Sequence, residues 1–200
     1  CMSTDRIIVA SAVADTFVAK LTAKVGKLKA GKPGSEGCVL GAMVSPEAAA
    51  RVKRLAEDAA SKGAKLTTGP VQLDGAVLQP VLIDGLTTDM ELYKEEAFGP
   101  VVTVLRTGSD DEAVRLANDS EYGLSASVFS RDIGRAMAVA KRIESGICHI
   151  NSSTVHDEAQ MPFGGVKSSG YGRFGGKAGV AEFTDLRWIT IQTTHRHYPV

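Results

Sequence analysis

Glu95-Glu96-Ala97-Phe98-Gly99-Pro100-Val101 and, further along, Pro162-Phe163-Gly164-Gly165-Val166-Lys167-Ser168-Ser169-Gly170 are the two stretches around which the rest of the chain is read. Each sets a phenyl ring close to glycine and proline. Glycine reaches backbone conformations closed to other residues and lets a ligand approach the chain, while proline holds φ fixed. Such runs build shaped loops rather than spacers. The first leads directly into an apolar run, residues 101–105, that reads as a buried strand.

Outward from these stretches, helical and strand patterns alternate. Residues 5–10 form a short β-branched run. Val13, Phe17, Val18, Leu21, Val25 and Leu28 then recur at spacings of three and four, the apolar face of a helix, with Ser11 placed to cap its start. Gly31, Pro33 and Gly34 mark the following loop. Ser45-Pro46-Glu47 opens a second helix with a cap, a proline in the first turn and an acid at the positive end of the dipole; Gly63 closes it. Residues 64–68 and 77–83 read as strands. Ser109-Asp110-Asp111-Glu112 is a capping box for a helix running to Asn118. A strand at 124–129, a helix at 132–145 stopped by Gly146, a strand at 147–151 and a late alternating strand at 188–193 complete the pattern.

This alternation predicts an α/β fold with a mainly parallel open sheet and flanking helices. In such sheets ligands sit outside the carboxyl ends of the strands, which makes Asn151 and the loop before Val101 candidate site walls. No repeat or inter-domain linker is evident. The glycine-rich segment 164–179 also carries Lys167, Tyr171, Arg173 and Phe174 and is expected to be a shaped loop. Within it Gly170-Tyr171-Gly172-Arg173-Phe174-Gly175 matches a dinucleotide fingerprint, but residues 162–169 do not read as the strand that motif requires, and the match is rejected.

The formal net charge of the 200 residues is zero, which speaks against nucleic acid or an anionic membrane as partner. No apolar run approaches the roughly 20 residues needed to cross a bilayer. Three cysteines, Cys1, Cys38 and Cys148, are an odd number without metal-ligand spacing. That predicts neither a disulfide framework nor a metal site, and a reducing, cytoplasmic location.

Taken together, Cys1-Met2-Ser3-Thr4-Asp5-Arg6, the Glu95–Val101 run, Asn118-Asp119-Ser120-Glu121-Tyr122-Gly123-Leu124-Ser125, Phe129-Ser130-Arg131-Asp132 and the Pro162–Arg173 run resemble, in order, the catalytic half of an aldehyde dehydrogenase. The resemblance implies that Cys1 is the nucleophile, followed by a spacer, Arg6 and a hydrophobic strand. It implies that Glu96 accepts hydrogen bonds from the nicotinamide ribose hydroxyls and that Phe98 packs near the nicotinamide, NAD being the expected coenzyme with NADP also admissible. Phe163 would form a wall of the site. Met2, Val155, His156 and Asp157 would line the substrate entrance, although His156 reads equally well as a solvent-facing side chain. The entrance segment is most similar to the salicylaldehyde, vanillin and benzaldehyde branch, so an aromatic aldehyde is the expected small-molecule substrate.

In that family the general-base glutamate, the oxyanion asparagine and the coenzyme-binding domain precede the nucleophile. The chain is therefore expected to start inside an enzyme and to be nearly inactive alone. Residues 1–186 are read as the catalytic domain and 187–200 as an oligomerisation strand and tail, giving a homodimer or homotetramer. A non-catalytic assembly domain of the same fold and a CoA-acylating relative are the alternatives.

Overall fold

A computed structural model of the protein describes residues 1–199. In chain order the elements are β1 (Arg6–Ala10), α1 (Ser11–Val25), α2 (Pro46–Ser61), β2 (Lys65–Leu66), β3 (Leu73–Asp74), β4 (Val77–Leu78), β5 (Val81–Asp84), α3 (Glu91–Lys94) and β6 (Val101–Thr107), then α4 (Asp110–Asn118), β7 (Tyr122–Gly123), β8 (Ser125–Val128), α5 (Ile133–Ala140), β9 (Ile147–Ile150), β10 (Val166–Lys167) and α6 (Gly176–Glu182).

The main sheet has the order β1-β6-β5-β2. β1 and β5 both run parallel to β6, and β2 closes one edge antiparallel to β5. Alternate residues of the two inner strands feed opposite faces. Val81, Ile83, Val101 and Leu105 pack with Val52, Leu55, Ala56 and Ala59 of α2, while Leu82 and Val104 pack with Ala14 and Val18 of α1. Because both faces are covered, β5 and β6 are largely buried and apolar on both sides over residues 81–83 and 101–105, apart from Thr103, rather than alternating apolar and polar. A parallel pair, β8 and β9, forms a separate small sheet with α5 beside it.

The mainly parallel α/β architecture agrees with expectation. The second helix begins as read: the Ser45 side chain accepts from the Ala48 N–H, Pro46 lies in the first turn, and Gly63 takes the left-handed conformation just past the end. Ser109 likewise accepts from the Glu112 N–H, but the Glu112 carboxylate reaches past the cap to the Gly108 N–H and the Thr107 hydroxyl.

Several boundaries differ, each for a physical reason. Ser11 lies inside α1 rather than capping it, and its hydroxyl donates to the Thr107 carbonyl. The strand read over 77–83 is broken at Gln79-Pro80: proline cannot donate to a ladder, and the Gln79 side chain is bonded to both backbone groups of Ala30. The helix read to Ser145 ends at Ala140, after which the Asn118 amide takes up the Arg142 carbonyl and the Glu144 N–H. Part of the glycine-rich segment forms α6 instead of a loop.

The late strand expected at 188–193 is not formed. Leu186, Trp188 and Ile191 stand exposed, Trp188 at 90 %. A strand exists only through a ladder partner, and among the described residues this segment has none. Val200, the end of the expected tail, lies outside the described residues.

Candidate active site

β1 and β6 are parallel neighbours with Arg6 opposite Thr103. The segments that lead into them therefore emerge at the same end of the sheet. One is Cys1 to Asp5; the other carries Glu96, Phe98 and Gly99. Together they enclose a cleft of roughly 230 Å³ whose walls include Cys1, Ser3, Thr4, Asp5, Glu96 and Phe98. This is the amino end of β1 and β6, which corrects the expectation of a site at the carboxyl ends. That rule describes loops leaving a strand; here both wall-forming loops enter one. The carboxyl end of β9 contributes only at the margin, where the Thr154 hydroxyl lies 3.0 Å from that of Thr4.

Each wall is anchored from below. The Asp5 carbonyl accepts from the Thr103 N–H and hydroxyl, both at 3.0 Å. Arg6 turns into the fold, donates to the carbonyls of Leu116 at 2.7 Å, Asp119 at 3.1 Å and Tyr93, and lies 4.4 Å from the Tyr93 ring centre. Arg6 is thus the fastening of the Cys1 segment rather than part of the cleft wall. On the other side, a Cβ at Gly99 would stand 3.1 Å from Met43 and 3.2 Å from Val52, so the loop lies tight against α2. Phe98 has φ 48° and is 67 % exposed. A non-glycine residue in this region carries strain of about 1–2 kcal/mol and persists because its surroundings impose it.

Cys1 is an exposed free thiol. Cys148 is half-buried in β9, where burial pushes its thiol up, the behaviour of a structural cysteine. Asp5 was not singled out from sequence. Burial raises its carboxyl from 3.8 to about 6; the neighbouring Glu96 adds to the rise, while the Ala97 N–H and Arg6 oppose it. The folded state therefore holds the proton more tightly than the unfolded chain. Stability associated with Asp5 is present below pH 4 and is lost as pH rises through 6. Asp5→Asn is expected to raise stability at pH 8 by about 1–3 kcal/mol, with the gain shrinking towards zero near pH 4. Thermal unfolding of both proteins across that range checks this; an advantage independent of pH would contradict it.

The other expected site residues are not in the cleft walls. Phe163 exchanges backbone hydrogen bonds with Phe174, and their rings pack with centres 5.0 Å apart. Met2 is half-buried beside Cys1 in sequence, and Val155 and Asp157 are exposed. The His156 ring stands edge-on to His149 at 5.3 Å, with Nε2 3.3 Å from Glu158. Asn151 spends its amide on both backbone groups of Ser130. Lys167 donates to the carbonyls of Asn118 and Ser120 and pairs with Glu144, and Arg173 holds the Gly165 and Gly172 carbonyls. Much of the second motif therefore knits the fold. Among the described residues no group of three or more His, Cys, Asp or Glu is arranged to hold a metal, and no helix is long and apolar enough to cross a membrane.

What results is an α/β domain with an accessible thiol, a carboxylate and a projecting phenyl ring around one cleft. The chain belongs to the aldehyde dehydrogenase family, whose model matches residues 1–189. It is 60 % identical over 200 residues to a vanillin dehydrogenase of Pseudomonas fluorescens, covering 100 % of this chain and 41 % of that protein. The solved structure of a salicylaldehyde dehydrogenase from Pseudomonas putida G7, complexed with salicylaldehyde, superposes with a TM-score of 0.92 at 46 % identity, over 100 % of this chain and 41 % of that one. A succinic semialdehyde dehydrogenase from Streptococcus pyogenes, solved with NADP+, superposes with a TM-score of 0.88 at 37 % identity, over 96 % of this chain and 42 % of that one. The chain thus spans about two fifths of the length of these relatives.

Proposed function

We propose that this chain carries the nucleophile of a dehydrogenase that oxidises an aromatic aldehyde to the carboxylic acid with NAD or NADP, and that Cys1 is that nucleophile. The observation that carries the reading is the shared cleft: an accessible thiol faces the same space as the Glu96 carboxylate and the Phe98 ring. As thiolate, Cys1 attacks the carbonyl carbon, and the carbonyl π pair moves to oxygen as a hemithioacetal forms. After loss of hydride from that carbon a thioester remains on Cys1, and water then releases the acid and frees the thiolate. Covalent attachment divides one difficult oxidation into two easier steps.

The cleft suits a nicotinamide coenzyme. A carboxylate at Glu96 offers acceptor sites for two ribose hydroxyls, and Phe98 offers an apolar face for a flat ring. When bound, the coenzyme supplies the hydride acceptor. The aromatic substrate is inferred from the vanillin and salicylaldehyde relatives; Met2, Val155, His156, Asp157 and Phe163 are proposed to shape its entrance from outside the inner cleft. The exposed apolar side chains of Leu186, Trp188 and Ile191 favour a homo-oligomer in which the segment that bears them is covered by a second copy.

The test uses the longest natural polypeptide containing these 200 residues. Glu96→Gln is expected to raise the coenzyme KM about 10–100-fold, the worth of one charged hydrogen bond, and Phe98→Ala about 2–12-fold, the worth of one stacked ring, each with the aldehyde KM nearly unchanged. Unaltered coenzyme KM in both would contradict the reading. The 200-residue chain by itself is expected to be nearly inactive, since removal of a general base alone costs roughly 10²–10⁴ in rate. Turnover matching the longer polypeptide would contradict that.

A further inference from the structure

The loop bearing Glu96 and Phe98 runs between α3 and β6, and the carbonyls of Glu96 and Ala97 belong to no helix or sheet ladder. Both are claimed by one side chain. Arg51, on α2, donates from Nη2 to the Glu96 carbonyl and to the Ala97 carbonyl, each at 3.0 Å, while Nη1 meets the Glu95 carboxylate at 3.3 Å. The next residue of the same helix, Val52, is the side chain against which Gly99 lies. Two consecutive α2 residues thus grip the loop on either side of Phe98. The rigid guanidinium plane holds the two backbone oxygens from one nitrogen and the carboxylate from the other, a preorganised fork that a single ammonium on a flexible stem replaces only in part.

The left-handed backbone at Phe98 supplies the reason such a grip matters. A strained residue relaxes unless its neighbours hold it. Relaxation would swing the ring and the adjoining carboxylate away from the cleft they share with Cys1. We propose that Arg51 is a positioning residue: by fixing the backbone at Glu96 and Ala97 it aims Glu96 and Phe98 at the coenzyme. This rests on the reading of those two residues as coenzyme contacts.

Arg54 provides the internal control. It lies three residues further along α2 and pairs with Glu91, outside the loop. In the longest natural polypeptide containing the chain, the NAD+ dissociation constant is measured by calorimetry without aldehyde, together with amide hydrogen exchange over residues 96–99. Arg51→Met is expected to weaken NAD+ binding at least tenfold and to speed loop exchange at least tenfold. Arg54→Met should leave both within threefold, and Arg51→Lys should fall between Arg51→Met and wild type. Arg51→Met behaving like Arg54→Met overturns the proposal. Where Arg51→Met does not fold, Arg51→Lys decides: at least threefold weaker binding with faster loop exchange supports the clamp, and wild-type values overturn it. Glu96→Gln separates the two levels. If it leaves NAD+ binding unchanged, the coenzyme reading and the clamp fall together; if it weakens binding while Arg51→Met does not, the clamp alone fails.

Discussion

Cys1→Ser is expected to lower aldehyde oxidation by a factor on the order of 10³–10⁶ in the longest natural polypeptide that carries the chain, the scale on which enzymes lose rate when their nucleophile is removed. Serine keeps the size of the side chain but not its chemistry. An alcohol is hardly ionised at neutral pH, whereas a thiol is a few per cent thiolate even without assistance and is intrinsically far more nucleophilic. The cleft should survive the change, because its walls are held by the Asp5 carbonyl, Arg6 and Gly99 rather than by the sulfur. Coenzyme affinity should accordingly stay within a few-fold of wild type, so that the loss appears in kcat. The other two cysteines supply the comparison. Cys38→Ser and Cys148→Ser remove thiols that do not line the cleft, and both should retain most of the activity. Comparable losses at all three positions would mean that oxidation does not run through Cys1.

The second large effect is on stability. Leu82 is fully buried at the centre of β5, facing Ala14, Val18 and Val104 on the α1 side of the sheet. Leu82→Ala is expected to cost about 3–4 kcal/mol, the sum of lost transfer energy and a cavity that a sheet flanked by helices on both faces can close only in part. For a domain of this size that corresponds to a fall in Tm of roughly 6–16 °C. Val44 is equally apolar but 94 % exposed, and Val44→Ala should change Tm by no more than a degree or two. Calorimetric melting of the two variants side by side measures the contrast; equal shifts would place the core elsewhere than between β5 and the helices.

These two cases also mark what could be read from the chain before its fold was known. The positions of α1, α2 and α4 and of β1, β5 and β6 are legible because the signals are local: three-and-four spacing, caps at Ser45 and Ser109, and β-branched runs that need no partner to be recognised. α6 was hidden because Gly176-Lys177-Ala178-Gly179 is a poor helix former and the helix carries no buried apolar face whose spacing could announce it. The 188–193 segment carries a strand's alternation yet forms no strand, since pairing depends on a partner that the pattern does not supply.

For the site, three residues of the cleft were legible and its place was not. Cys1, Glu96 and Phe98 stand out by motif. That they meet at the amino end of the sheet follows from β6 inserting beside β1 across some ninety intervening residues, a nonlocal choice. The parts played by Arg6, Arg51 and Asp5 are invisible for the same reason. Their contacts to Leu116, Ala97 and Thr103 are long in sequence, and each residue by itself reads as an ordinary surface charge.

The account depends on a covalent bond between the leading sulfur and the substrate carbon, and mass spectrometry tests it most directly. The longer polypeptide would be mixed with an aromatic aldehyde and oxidised coenzyme, quenched in acid during turnover and digested with trypsin. The account predicts an acyl group on the peptide that ends at Arg6, located on Cys1, and none on the peptides bearing Cys38 or Cys148. Turnover without any acylated Cys1 peptide, or acylation at either of the other two cysteines instead, would contradict it.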